Sequence, residues 1–314
     1  MAGRAGTRNT VRDYLPELAI VAAAVLYGST FTIVQDALEH ASASGLNVAR
    51  FAVGAAVLLP FAIRRGWRGP HARPGDGPSR MVLGGVAVGV VAVVAYQTQN
   101  VGLEHTTTSN AAFITGLFAV FTPIVEAIWF RRFPRRGIVV AILLAVLGLF
   151  LLTGADLTPS FGDAIVLVTA MAFGVWYVML GEIAPRFDIT AVTAVQLATV
   201  ALGSVPIALI EGFGTFDGGV WAAVLVTGIG CSAVAFSLST WAQRTIDPSR
   251  ASLLNLLEPV VAGFVGYLVG ERLGLIGYAG AALILAGILV AERGTHSGRF
   301  PPVPLGRRVR APSS

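Results

Sequence analysis

Ten runs of about twenty predominantly apolar residues, most of them joined by short links, dominate the chain. As a helix, a run of that length crosses the roughly 30 Å hydrocarbon core of a bilayer. The runs are expected at 15–35, 45–63, 80–100, 107–130, 137–154, 162–182, 190–211, 219–242, 250–270 and 273–292. Of the 314 residues, 55% are hydrophobic and only 12% are charged, about half the charged share of a soluble domain. The fold class is therefore an all-α integral membrane protein with ten transmembrane helices. The stretch from Leu15 follows a basic lead, as a signal peptide would. It is long enough to span and is read as an uncleaved first helix.

The arginines sort by side. All 22 basic residues are Arg. Arg4, Arg8 and Arg12 precede the first span. Arg64, Arg65, Arg68, Arg73 and Arg80 follow the second, and Arg131, Arg132, Arg135 and Arg136 follow the fourth. Arg186 follows the sixth, Arg244 and Arg250 the eighth, and Arg293, Arg299, Arg307, Arg308 and Arg310 the tenth. With ten spans, all of these fall on one side. The opposite joints carry Asp36, Glu39, Glu104, Asp156, Glu211 and Asp217, with Arg272 as their one arginine. The positive-inside rule then places both termini in the cytoplasm, and the expected location is the inner (cell) membrane. It accounts for the positive net charge without a nucleic-acid partner. The lone Cys231 lies in an apolar run and reads as a small packed residue.

The chain also repeats itself. Laying the first two spans over the sixth and seventh aligns "AVLYGSTF" with "AMAFGVWY", Gly28 with Gly174 and Pro60 with Pro206. Laying spans three to five over eight to ten aligns Ala95 with Ala235, Ser109 with Ser249 and Ala111 with Ala251. Five spans per half is odd, so the second half enters the membrane from the other side. The result is a 5+5 inverted-topology repeat, a common build for secondary transporters. The expected units are a tail at 1–14, one five-helix repeat at 15–154, a second at 162–292, and a C-terminal tail at 293–314, both tails cytoplasmic and the second disordered.

"YGSTFTIVQDAL", "ARFAVGAAVLLP", "TTTSNAAFITGLFAVFTPIVEAIWF" and "PSRASLLNLLEPVVAGFVGYLVGERL" resemble, in order and spacing, the EamA branch of the drug/metabolite transporter superfamily. The resemblance runs from about Leu15 to Glu292. It implies ten helices, a 5+5 inverted repeat and movement of small metabolites, often export of amino acids or related compounds. Two features depart from it. Tyr27 stands where many relatives carry Trp, and "RRFP" replaces the acidic residue that often closes the fourth helix.

Polar residues form stripes at helical spacing. Thr108, Ala112, Thr115, Ala119, Thr122 and Glu126 share one face of the fourth span, and Ala251, Asn255, Glu258, Ala262 and Gly266 share one of the ninth. Small residues in such stripes equally serve close helix packing. Glu126 and Glu258 need water, a partner or a proton at that depth, so they are the candidates for proton coupling. Glu258 is followed by Pro259, which frees a carbonyl one turn earlier, near Asn255. Freed backbone groups in a membrane are tolerated where they line a water-filled cavity. Glu258 lies about 12 Å along the helix from Arg250, and Pro123 with Glu126 lies at a comparable depth from Arg131. The breaks at Pro123 and Pro259 are expected to face each other across the path; a structural kink is the rival reading.

Further pathway candidates are Tyr27, Phe31, Trp176 and Tyr177 on spans one and six, Tyr96, Gln97 and Asn100 on span three, and Phe236 and Ser239 on span eight. Aromatic walls with a few polar groups suit a small, partly apolar solute, although such rings more often pack. Arg50, near the outer start of the second span, could grip a carboxylate with its planar fork or pair with an acid. The four histidines fall in joints or tails, and no metal-ligand pair, nucleophile elbow or phosphate loop is evident. No cofactor or metal is expected, and an ATP-driven pump is disfavoured. The reading is a secondary transporter that exports small organic metabolites by alternating access. Import of a metabolite or vitamin by the same fold is the alternative, and an intramembrane enzyme the rival class. The expected partners are the bilayer and a small-molecule substrate; oligomeric state is not encoded in these features.

Overall fold

The computed structural model describes residues 14–131, 133–156, 158–268 and 274–295, leaving out the side chains of Phe31 and of residues 293–295. Glu271 and Arg272, and all of both tails but Tyr14 and the last helical turn, lie outside the described residues. The first span comprises helices Leu15–Ser29 and Phe31–Leu38, the second Ala43–Arg65 and the third Pro78–Leu103. The fourth comprises Thr108–Gly116 and Phe118–Phe130, the fifth Arg136–Thr153, the sixth Phe161–Ile183 and the seventh Ile189–Glu211. The eighth runs through Gly218–Val226, a π-helical stretch Thr227–Ala235, and Phe236–Ala242. The ninth comprises Pro248–Asn255 and Leu257–Leu268, and the tenth is Leu275–Thr295. Among the described residues nine spans are long and apolar enough to cross a membrane, and the bent first pair makes the tenth. The Thr30 hydroxyl donates back to the carbonyls of Leu26 and Tyr27, at 3.1 and 3.0 Å, next to a 40° bend. Such back-bonding to the preceding turn bends helices.

The halves interlock rather than fold separately. The first span lies against the eighth and ninth, and the sixth against the third and fourth. The second packs on the seventh and eighth, the seventh on the second and third, and the fifth on the tenth. Advancing every span by five maps this set of contacts onto itself, as an inverted repeat requires. The glycines aligned in sequence do matching work. A Cβ on Gly28 would stand 2.6 Å from the carbonyl oxygen of Glu258 in the ninth span, and one on Gly174 would stand 2.9 Å from Cβ of Phe121 in the fourth. Each glycine lets its span rest directly on a broken helix.

The joints pair in the same way. At the arginine-rich end, the links after the second and sixth spans exchange backbone bonds, Gly69 N–H to Arg186 O at 3.0 Å and Asp188 N–H to Trp67 O at 3.0 Å. Arg186 also holds Asp76, its Nε 3.2 Å from Oδ2. That hydrogen bond, with burial opposing it, keeps the Asp76 carboxyl below the ordinary carboxylate range. At the opposite end, the links after the first and seventh spans bond Ser42 N–H to Phe213 O at 3.1 Å and Thr215 N–H to His40 O at 2.8 Å.

Candidate functional site

The ninth span breaks at Leu256, whose N–H reaches back to Leu253 O at 3.1 Å instead of to the fourth residue before it. A new helix starts at Leu257. Pro259 is its third residue, where a missing N–H would find no partner within the helix anyway. The proline therefore starts a helix; the turn before it supplies the break. Glu258 stands second in that helix, at the positive end of its dipole, and accepts a 3.4 Å bond from Asn255 Nδ2. Glu258 lies deep among the spans, yet part of its surface is left uncovered by protein.

The fourth span has the corresponding break at Leu117, not at Pro123. Leu117 N–H bonds to Ile114 O at 3.0 Å, and helix Phe118–Phe130 runs unbroken through Pro123. Gly116 precedes the break, and a Cβ there would meet Leu149 of the fifth span at 2.2 Å. The same point lies 3.5 Å from Leu256 Cδ2. The two breaks lie close together, each displaced from the proline at which it was expected. A proline can continue a helix when the residue one turn earlier yields locally, whereas the Gly116 turn is free to tighten.

Arg50 faces Glu258 from the second span. Its Nε donates to Asn47 Oδ1 at 3.0 Å, one turn back. Its guanidinium carbon sits over the rings of Phe51 and Tyr96, 4.7 and 5.3 Å from their centroids. The second span comes this close because Gly228, in the π-helical stretch, has no side chain: a Cβ there would be 2.9 Å from Arg50 O. Arg50 and Glu258 lie within Coulombic reach of each other, with no salt bridge joining them among the described residues. Tyr27, Tyr96 and Tyr177 lie within the same reach of Glu258.

Aromatic side chains close the recess. Phe236 stands edge-on to Tyr27 at 6.0 Å, to Phe51 at 5.9 Å and to Trp176 at 5.7 Å. Phe118 stacks on Tyr177 at 5.5 Å, and Phe173 bridges Phe118 and Tyr96 at 6.4 and 5.5 Å. These rings come from both halves of the repeat. Cys231 lies at the edge, its Sγ 3.0 Å from Thr30 Oγ1.

The expected site residues divide accordingly. Tyr27, Arg50, Tyr96, Trp176, Tyr177, Phe236, Asn255 and Glu258 come together. Trp176 is anchored by its Nε1, which donates to Gln196 Oε1 at 3.2 Å. Ser239 is buried one turn beyond Phe236. Gln97 is a structural bridge, accepting from Ser44 and donating to Ser204 at 3.0 and 2.9 Å. Thr122 donates to its own helix at Phe118 O, 2.7 Å away, and Thr115 accepts from Gln99 at 3.4 Å. Asn100 has a buried Nδ2 with no partner among the described residues. The Phe31 side chain lies outside the described residues. Glu126 does not join Glu258: its carboxylate accepts from the Ser249 N–H, at 3.1 Å, and from the Ser249 hydroxyl, at the start of the ninth span. Phe51 and Phe118 belong to the recess although sequence reasoning passed over them. Phe51 was legible in principle, because Asn47, Phe51, Gly54 and Leu58 recur every four or three residues and are all buried. A separate shallow recess of about 550 Å³, lined by Glu17, Leu18, Val21 and Leu254 among others, lies between the first, ninth and tenth spans and contains none of these groups.

Two matched sets of five spans that interlock at broken helices, with charged side chains deep between them, are the architecture of a polytopic membrane transporter. The EamA-like transporter family model matches residues 15–154 and 160–292, and the chain belongs to that family. Relatives include an uncharacterized transporter of Archaeoglobus fulgidus, 28% identical, covering 91% of this chain and 89% of that one. The uncharacterized transporter YyaM of Bacillus subtilis is 24% identical over 85% of this chain and 90% of its own. A probable terminal-alkyne amino-acid exporter of Streptantibioticus cattleyicolor is 24% identical, over 92% and 97% respectively. A solved crystal structure has the same fold, with a TM-score of 0.74 at 20% identity over 88% of this chain and 96% of that one.

Proposed function

We propose that this protein is a secondary transporter that exports small organic metabolites, amino acids or related compounds, across the inner membrane by alternating access. Two five-helix repeats, 15–154 and 162–292, would rock about the central recess, with both tails cytoplasmic. One observation carries this reading. Glu258 sits, partly uncovered by protein, in a recess walled by both repeats, beside a helix break that an inverted repeat duplicates. A carboxylate held there at such depth has a use if it exchanges a proton or a cationic group during the cycle. The relative named as an amino-acid exporter supports the choice of substrate and direction.

The test is transport by purified protein in liposomes without ATP, under an imposed proton gradient. Amino acids should move in wild type. Glu258→Gln keeps the shape and removes the charge. It should insert normally and lose most net, proton-linked transport, while counterflow exchange survives at saturating substrate. Equal net rates in the two proteins would remove Glu258 from coupling. Chemical conversion of a membrane lipid, with no solute moved, would favour an enzyme.

A further inference from the structure

Arg50 and Glu258 carry opposite charges into one recess, and neither is neutralised there by a direct ion pair among the described residues. Arg50 spends its Nε on Asn47 and its face on Phe51 and Tyr96. Its two terminal nitrogens engage no acceptor among the described residues. Among the described residues Glu258 accepts one long bond, from Asn255. Two opposite charges brought from opposite halves of the repeat, within Coulombic reach and joined by no salt bridge among the described residues, suit a ligand that carries both signs of charge. We propose that this is a zwitterion site: the Arg50 fork takes the carboxylate of an α-amino acid, and Glu258 takes its ammonium group. This rests on the transport reading above and assigns its substrate contacts.

The charge arithmetic favours that class over its neighbours. A bound zwitterion leaves the recess neutral, with each charge opposed. A solute with only a carboxylate leaves Glu258 facing a second anion, and one with only an amine leaves Arg50 facing a second cation. Either leaves a desolvated charge uncompensated, which is the costly case. The planar fork suits bidentate contact with a carboxylate. The rings of Tyr27, Tyr96, Tyr177 and Phe236 offer the amino-acid side chain an apolar wall, so bulky apolar side chains should bind best.

The experiment measures binding to the full chain in lipid nanodiscs by calorimetry. The probes are L-phenylalanine, L-leucine and L-methionine, each compared with its N-acetyl derivative and its methyl ester. In wild type at least one amino acid should bind, with both of its derivatives roughly ten- to hundredfold weaker, as expected for loss of a charged contact. Arg50→Gln should bind the ester as well as its parent amino acid and still discriminate against the N-acetyl compound. Glu258→Gln should show the reverse. Arg50→Lys should recover part of the carboxylate preference, which a merely misfolded variant would not. The proposal is overturned if none of the three amino acids binds, if a derivative binds wild type as tightly as its parent, or if both variants weaken all ligands alike. Selective binding with no movement in liposomes would instead sink the transport reading and leave the site standing.

Discussion

At the scale of single residues, position in the bundle decides what each polar or small residue does. Glu126 and Glu258 look alike in sequence, both near a proline in a striped span. In the fold, Glu126 accepts from Ser249 at the start of the ninth span, a place where Asp247 itself makes no capping bond. Among the described residues the Glu258 carboxylate accepts a hydrogen bond from Asn255 alone and otherwise faces the recess. Gly28 is equally specific, because a Cβ there would stand 2.6 Å from Glu258 O. Gly28→Val should therefore cost about 1–3 kcal/mol through forced displacement of the ninth span. It should lower the thermal unfolding temperature in detergent. Gly230→Ala, where an added Cβ meets nothing within 4 Å, should change stability by less than about 0.5 kcal/mol. Equal effects at the two positions would refute the close approach.

At the scale of elements, the repeat builds the same three-span tie twice from different chemistry. Arg250, starting the ninth span, donates to Glu292 at the end of the tenth and to Glu17 at the start of the first, both at 2.7 Å. The register that aligns the repeats carries Arg250 to Asn110 and Glu17 to Asp163. Asn110 indeed donates to Asp163 at 3.4 Å and accepts from the Asp156 N–H at 2.7 Å. One end is tied by a largely buried ion triad, the other by an amide. Arg250→Ala removes the cation that Glu17 and Glu292 share and should cost about 3–5 kcal/mol. Asn110→Ala removes part-buried bonds and should cost about 1–2 kcal/mol. Denaturation of the two variants in the same detergent checks the order; a smaller loss at Arg250 would show that its carboxylates find other partners.

At the scale of the whole molecule, the arginine-rich joints gather at one end and the acidic joints at the other. The pairing of the links after the second and sixth spans at the arginine-rich end, and after the first and seventh at the opposite end, keeps that sorting in three dimensions. The positive-inside rule then predicts both termini in the cytoplasm. Reporter fusions at each terminus should be active only as cytoplasmic reporters, and an external signal from either would overturn the orientation.

What the sequence by itself determined was the number of spans, their approximate ends and their inverted repetition. These follow from hydropathy, and an apolar run long enough to cross the bilayer must be a helix whatever surrounds it. Even the register of the repeat survived, down to Gly28 with Gly174. Tertiary structure alone decided which polar residues share a space. Gln97 and Glu258 are both polar groups in apolar spans, yet Gln97 is held by Ser44 and Ser204 while Glu258 faces the recess. It also moved the breaks to Leu117 and Leu256 and opened a π-helical stretch in the eighth span where the matching third span stays α-helical. The reason is physical. Periodicity is a local property of one helix, whereas a recess belongs to the surfaces of several. Which face of a span meets a neighbour, and which meets open space, is settled only when packing brings distant side chains together.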